Sequence, residues 1–151
     1  MLSALVLPLA ACSAGEVTLP TVDVAADDLA ACRALVQDLP NELGDRARVP
    51  VLPAGGLGAA WGDPAIVMTC GGEAPDISRT ASCTEVNGVG WYVDDAVIAD
   101  ASVTATLVTV GYRPIVTLVV PAEQRPEGAA AAMAGLAAAV QEHAELVQPC
   151  R

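Results

Sequence analysis

The chain has 151 residues, with 18 acidic and 7 basic side chains and a formal net charge of −11. That balance argues against nucleic-acid binding, which needs a basic stripe to neutralise phosphates, and against electrostatic adhesion to anionic lipid. Every basic residue is Arg, so acyl transfer through a Ser-x-x-Lys motif and Schiff-base chemistry are excluded.

The first element is an apolar run from Leu2 to Leu9 that closes in Leu9-Ala10-Ala11-Cys12, the pattern of a bacterial lipobox. In that chemistry the Cys12 thiol takes a diacylglyceryl group, and a peptidase then cuts before it through the small residues Ala10 and Ala11. Two or three acyl chains make a durable anchor, each buried methylene adding roughly 0.8 kcal/mol. The run is too short to span a bilayer, which takes about 20 apolar residues, so the anchor is lipid and not helix. Residues 1–11 therefore read as a signal peptide. Met1-Leu2-Ser3 lacks the usual basic n-region, which suggests a start site placed too far downstream. Cys12 to Val24 contains Pro20 and reads as an extended tether, leaving 25–151 as one extracytoplasmic domain of ordinary size.

Within that domain, Asp27 and Asp28 open a helical pattern with Leu29, Cys32, Val36 and Leu39 on one face, and Pro40 ends it. From Arg46 onward, short β-branched runs alternate with Gly, Pro and Asp. They predict strands at Ala47–Leu52, Ala65–Cys70, Cys83–Val86, Val89–Val93, Ser102–Val110 and Ile115–Val120. Asn87-Gly88 is a hairpin signal, because a type I′ turn needs positive φ at both central positions. Gly111-Tyr112-Arg113-Pro114 supplies a longer turn. Ile115–Val120 is apolar on both alternations and so reads as a central strand. Pro126-Glu127 begins a final Ala-rich helix carrying Met133, Leu136, Val140 and Val147 on one side. The expected fold is α+β: a single domain with an antiparallel β-sheet packed against an N-terminal and a C-terminal helix.

With Cys12 committed to lipid, Cys32, Cys70, Cys83 and Cys150 remain, an even set that argues for two disulfides in an oxidising compartment. Three connectivities are possible. The favoured one joins Cys70 to Cys83 around a local loop and Cys32 to Cys150 across the domain, with loop-closure contributions of about 3 and about 5 kcal/mol. No C-x-x-C or Cys…His pair has zinc spacing, so no metal is expected from the cysteines, and no cofactor is implied.

Catalytic signals are sparse. His143, the single histidine, falls late on a solvated helix face, and no G-x-S-x-G elbow occurs. Asp63, Glu73, Asp94, Asp95 and Asp100 lie in or near turns. A wall-polymer hydrolase would use Asp63 with Asp94, Asp95 or Glu73 as paired carboxylates, although Asp63-Pro64 and Asp94-Asp95 also have ordinary turn chemistry. Asp94, Asp95 and Asp100 lack the spacing of a dedicated calcium loop. Gly55-Gly56-Leu57-Gly58 does not open a helix and so is no dinucleotide fingerprint; the glycines let backbone pass close to Trp61. Trp61 and Trp91, with Asp63 beside the first, are the candidate binding surface, core packing being the competing reading for both tryptophans.

The ordered set Cys32…Leu39-Pro40, Ala59-Ala60-Trp61-Gly62-Asp63-Pro64-Ala65-Ile66-Val67, Cys70-Gly71, Cys83…Asn87-Gly88-Val89…Trp91 and Pro114…Val120-Pro121 resembles the actinobacterial family called domain of unknown function 3515. The resemblance covers nearly the whole chain after Cys12. It implies an exported, membrane-tethered protein with paired cysteines and implies no activity; where the family carries a basic residue before its Cys-Gly pair, this chain has Thr69.

These readings make the expected function that of a lipid-anchored module on the outer face of the cytoplasmic membrane. It would act by binding or scaffolding with an unidentified envelope protein or wall component, not as an enzyme. The alternatives are the carboxylate hydrolase and a carrier of a small apolar ligand held between the sheet and the C-terminal helix.

Overall fold

The structure is a computed structural model that describes residues 15–75 and 83–150. Residues 1–11 and Cys12, expected to form the signal peptide and anchor site, lie outside the described residues. The chain opens with β1 (Val17–Thr18) and α1 (Leu29–Gln37), then β2 (Glu42–Leu43), β3 (Arg46–Val49), β4 (Val51–Leu52), β5 (Gly58–Trp61) and β6 (Ile66–Cys70). The second half gives β7 (Thr84–Val86), β8 (Val89–Tyr92), the short α2 (Asp95–Ala99), β9 (Ala105–Thr109), β10 (Tyr112–Arg113), β11 (Val116–Val120), α3 (Arg125–His143) and β12 (Glu145–Leu146).

Eight strands form one antiparallel sheet in the order β2-β3-β5-β6-β11-β9-β8-β7. The α+β single-domain expectation is met, and β11 is central, flanked by β6 and β9. The Asn87-Gly88 turn has φ of 50° and 82°, the type I′ signature, and joins β7 to β8. The period of two sorts the strands cleanly. Ile66, Met68 and Cys70 of β6, Ala105 and Leu107 of β9, and Val116, Leu118 and Val120 of β11 all point to one buried face. Against that face lies α3, whose Ala132, Met133, Leu136, Ala137 and Val140 recur at helical spacing and are buried. α1 packs on α3 and on β6, bringing Cys32 and Leu35 into the same core.

Several local expectations are corrected. The sequence predicts only a glycine passage over Gly55–Gly58 and no strand up to Trp61, yet β5 is a strand paired with β3 and β6 and buried on both faces. Small residues lack the branched side chains that mark a strand, but they let neighbouring chain come close: a Cβ on Gly58 would lie 3.2 Å from the Leu19 side chain. α1 starts at Leu29, so Asp27 and Asp28 precede its first turn, and Asp28 instead accepts a hydrogen bond from Arg113 Nε at 3.0 Å. Tyr112-Arg113 is not only a turn; it pairs with β12. Val147 lies beyond α3 and is 62% exposed, because Ala144 leaves the helix in an extended conformation.

The disulfides also differ from the favoured pairing. Cys32 bonds Cys70, with Cα atoms 5.5 Å apart, and Cys83 bonds Cys150, with Cα atoms 6.0 Å apart. Cys70 shares the helix-facing side of β6 with Ile66 and Met68, so the apolar face of α1 is what it meets. After β12 the chain turns over the end of β9, with Val147 and Gln148 N–H donating to Gly111 O at 2.7 and 3.1 Å. It then crosses Gly90, where a Cβ would stand 2.6 Å from Cys150 Sγ. Gly90 leaves the room in which that second bridge sits.

Candidate functional site

Trp61 and Trp91 have no exposed surface, which overturns their reading as a binding face. Both lie on the helix-facing side of the sheet. Trp61 Nε1 donates to Pro40 O at 3.0 Å, and the Arg48 guanidinium sits 6.0 Å from the ring centroid, so this side chain ties β5 to the end of α1. Trp91 Nε1 is buried without an acceptor among the described residues. Of the three residues proposed for the surface, Asp63 alone is exposed, in the β5–β6 turn.

The turn carboxylates do not converge. Asp63 and Asp94 lie at the same end of the sheet, but β6 and β8 are separated by β11 and β9, three strand spacings of about 4.8 Å or roughly 14 Å. Paired glycosidase carboxylates stand about 5–9.5 Å apart. Glu73 follows the far end of β6. Asp94 is occupied as the cap of α2, its Oδ1 accepting from Ala96 N–H at 2.8 Å. Asp100 accepts from Ser102 N–H at 2.9 Å and from Ser102 Oγ at 2.6 Å, and these two hydrogen bonds, more than the nearby Arg125 charge, hold its carboxyl below the ordinary value. Arg125 reaches across from the start of α3 and donates to the carbonyls of Val97 (2.6 Å), Val103 (2.9 Å) and Asp100. One guanidinium thus fixes the C-terminal end of α2 and the loop after it.

The space expected to hold an apolar ligand, between sheet and α3, is filled by the Ala, Leu, Met and Val side chains named above. A cleft of about 180 Å³ lies elsewhere, where Leu19 to Val22 cross Gly56, Leu57 and Thr69. Its lining is mostly apolar, and Thr69 contributes a nearly buried polar side chain.

One cluster was not legible from sequence. His143 at the end of α3 is largely buried, not on a solvated face as expected: its side chain is 16% exposed, and Nε2 lies 2.5 Å from Asp38 Oδ2 at the end of α1. Glu142 completes the group, with the three ligand atoms within 4.8 Å of one another. Asp38 and His143 are 105 residues apart, and only the packing of α1 on α3 brings them together. Tyr112, on β10, donates its hydroxyl to Gly88 O at 3.1 Å; burial, and secondarily the charge of Glu85, push its pKa up.

The family model described as a protein of unknown function, DUF3515, matches residues 1–148. No curated protein and no solved structure matches the chain.

Proposed function

The chain belongs to the DUF3515 family, and from that premise we propose that it is a lipid-anchored extracytoplasmic module that binds or scaffolds another component of the cell envelope. The observation that carries the proposal is the use of cysteine. Four of the five cysteines form two intrachain disulfides, which persist in oxidising compartments, and the fifth is Cys12 of the lipobox pattern. The separation of the turn carboxylates and their use as local caps favour a binding role over the hydrolase. The Leu19–Val22 strap, a few residues after Cys12, would keep the cleft beside it close to the bilayer.

Expression of the full chain with labelled palmitate tests the anchor. The label and membrane association are expected on the natural chain and lost together in Cys12→Ala, while the folded domain persists. A Cys12→Ala chain that remains in the membrane fraction would overturn the proposal. A photocrosslinker at Thr21, on the rim of the cleft, tests binding. It should capture an envelope component from the anchored chain, and the absence of any adduct in intact cells counts against a scaffolding role.

A further inference from the structure

We propose that Asp38, Glu142 and His143 form a binding site for a divalent transition-metal cation, of which Zn²⁺ is the type, joining the C-terminal end of α1 to that of α3. The inference is independent of the envelope reading, since it rests only on the packing of two helices.

The donor set is one imidazole nitrogen and two carboxylates. Imidazole suits Zn²⁺ and its neighbours, whereas Mg²⁺ and Ca²⁺ take oxygen alone, so the histidine sets the metal class. Zinc holds nitrogen at about 2.0–2.1 Å and carboxylate oxygen at about 2.0–2.2 Å, which puts two ligands on one ion about 3.4 Å apart. The three atoms already lie within 4.8 Å of one another. Asp38 Oδ2, hydrogen-bonded to His143 Nε2 at 2.5 Å, must draw back by about 1 Å to admit the ion, and Glu142 turns in beside it; both carboxylates are exposed, while the His143 side chain is only 16% exposed. Three protein ligands leave the remaining coordination positions to solvent.

The electrostatics favour a cation. Asp38 is the C-cap of α1 and His143 the last residue of α3, so the negative ends of two helix dipoles meet at the cluster. Arg48 partly offsets the first, donating to Val36 O and Leu39 O at 3.4 Å each. Against that one guanidinium stand two carboxylates and the end of α3. Competition from other soft ligands is small, because the four cysteines of the domain are oxidised and His143 is the sole histidine in the sequence.

The lone histidine makes the test direct. In the full chain carrying Cys12→Ser, which removes the remaining thiol, ZnCl₂ is titrated at neutral pH while the single imidazole is followed by NMR and the heat by calorimetry. The expected result is one Zn²⁺ per chain, a shift of the His143 ring resonances that saturates with it, and no matching shift from MgCl₂ or CaCl₂. Loss of a group that only hydrogen-bonds to a metal ligand typically weakens metal binding about 10–100-fold, so His143→Gln, which removes a ligand, should cost at least as much. Asp38→Asn and Glu142→Gln should each weaken binding about tenfold or more. At about 100 times Kd, Zn²⁺ should raise Tm by roughly 8 °C. The proposal is overturned if the His143 resonances ignore Zn²⁺, if His143→Gln binds as tightly as the parent, or if only millimolar binding is seen. The ring resonances are read on the parent fold, so the test survives a variant that folds poorly.

Discussion

Removal of the Cys32–Cys70 bridge should lower stability more than any surface change. The bond closes a separation of 38 residues, for which chain entropy in the unfolded state gives about 4 kcal/mol at 25 °C. Both cysteines are fully buried between α1 and β6, so replacing them by alanine adds a small cavity worth about 1 kcal/mol per site. A total of about 5–6 kcal/mol compares with a net stability of about 5–15 kcal/mol for a domain, and it translates into a Tm lowered by roughly 15 °C. The assay is calorimetry of the full chain beside Cys32→Ala/Cys70→Ala, with Cys83→Ala/Cys150→Ala as a second pair. That pair spans 67 residues and should lose a similar amount. The two loops follow one another along the chain without overlapping, so the losses should add. Trypsin then reads the connectivity. Cleavage follows Arg33, Arg46, Arg48 and Arg79 but is blocked at Arg113 and Arg125 by Pro114 and Pro126. The observed pairing therefore yields the Cys32 peptide joined to the Cys70 peptide, and a separate C-terminal fragment bridged within itself. Either other connectivity joins all three fragments. A single three-fragment species, or a Tm within about 3 °C of the parent for the first pair, would refute the reasoning.

Four further outcomes follow. Arg125→Ala should cost about 2 kcal/mol and raise amide exchange across 95–103, since three carbonyls lose one charged donor; unchanged exchange there would show that the guanidinium does not hold α2. Trp61→Phe should destabilise more than Trp91→Phe, by about 1 kcal/mol, because the first abandons Pro40 O and the second removes a donor with no acceptor among the described residues; equal urea midpoints would count against this. Gly111→Ala should cost about 2–3 kcal/mol, as φ is +75° and a Cβ would run into Gln148 backbone; a neutral thermal shift would mean that the C-terminal strap moves freely. The folded pKa of Asp100 lies below its ordinary 3.8, so its contribution is present above that value and is lost as pH falls through the lower folded value. An NMR titration should show the Ser102 amide following Asp100 in that acid range, and an amide that does not titrate would remove the hydrogen bond from the account.

The elements legible in the sequence are those whose pattern carries their burial. β6, β8, β9 and β11 announce themselves through branched or aromatic residues at alternating positions, and α3 through its alanine content. β5 escaped because Gly58, Ala59 and Ala60 are buried by what crosses them and not by their own bulk. The tryptophans illustrate a different loss: their scarcity is visible in sequence, whereas the Pro40 carbonyl that receives Trp61 is set by tertiary packing. The disulfide partner of Cys70 was within reach. Ile66, Met68 and Cys70 share one side of a strand, and a helix with Cys32 on its apolar face is the element such a side covers. The Asp38–His143 contact carried no such signal, because each residue reads alone as an ordinary helix-end polar group.

The outer margins of the eight-stranded sheet bear on how any partner is held. At one side the last strand is β2, two residues long; at the other it is β7, three residues with Glu85 exposed in its middle. Among the described residues neither border offers a row of free amides and carbonyls long enough to template an incoming strand, and brevity and charge are the devices by which sheets resist growing sideways. Association by strand addition is thereby disfavoured, both for copies of this chain and for an extended peptide. A partner of the kind proposed would then meet side chains and not the backbone of this sheet, which would make its recognition a matter of shape.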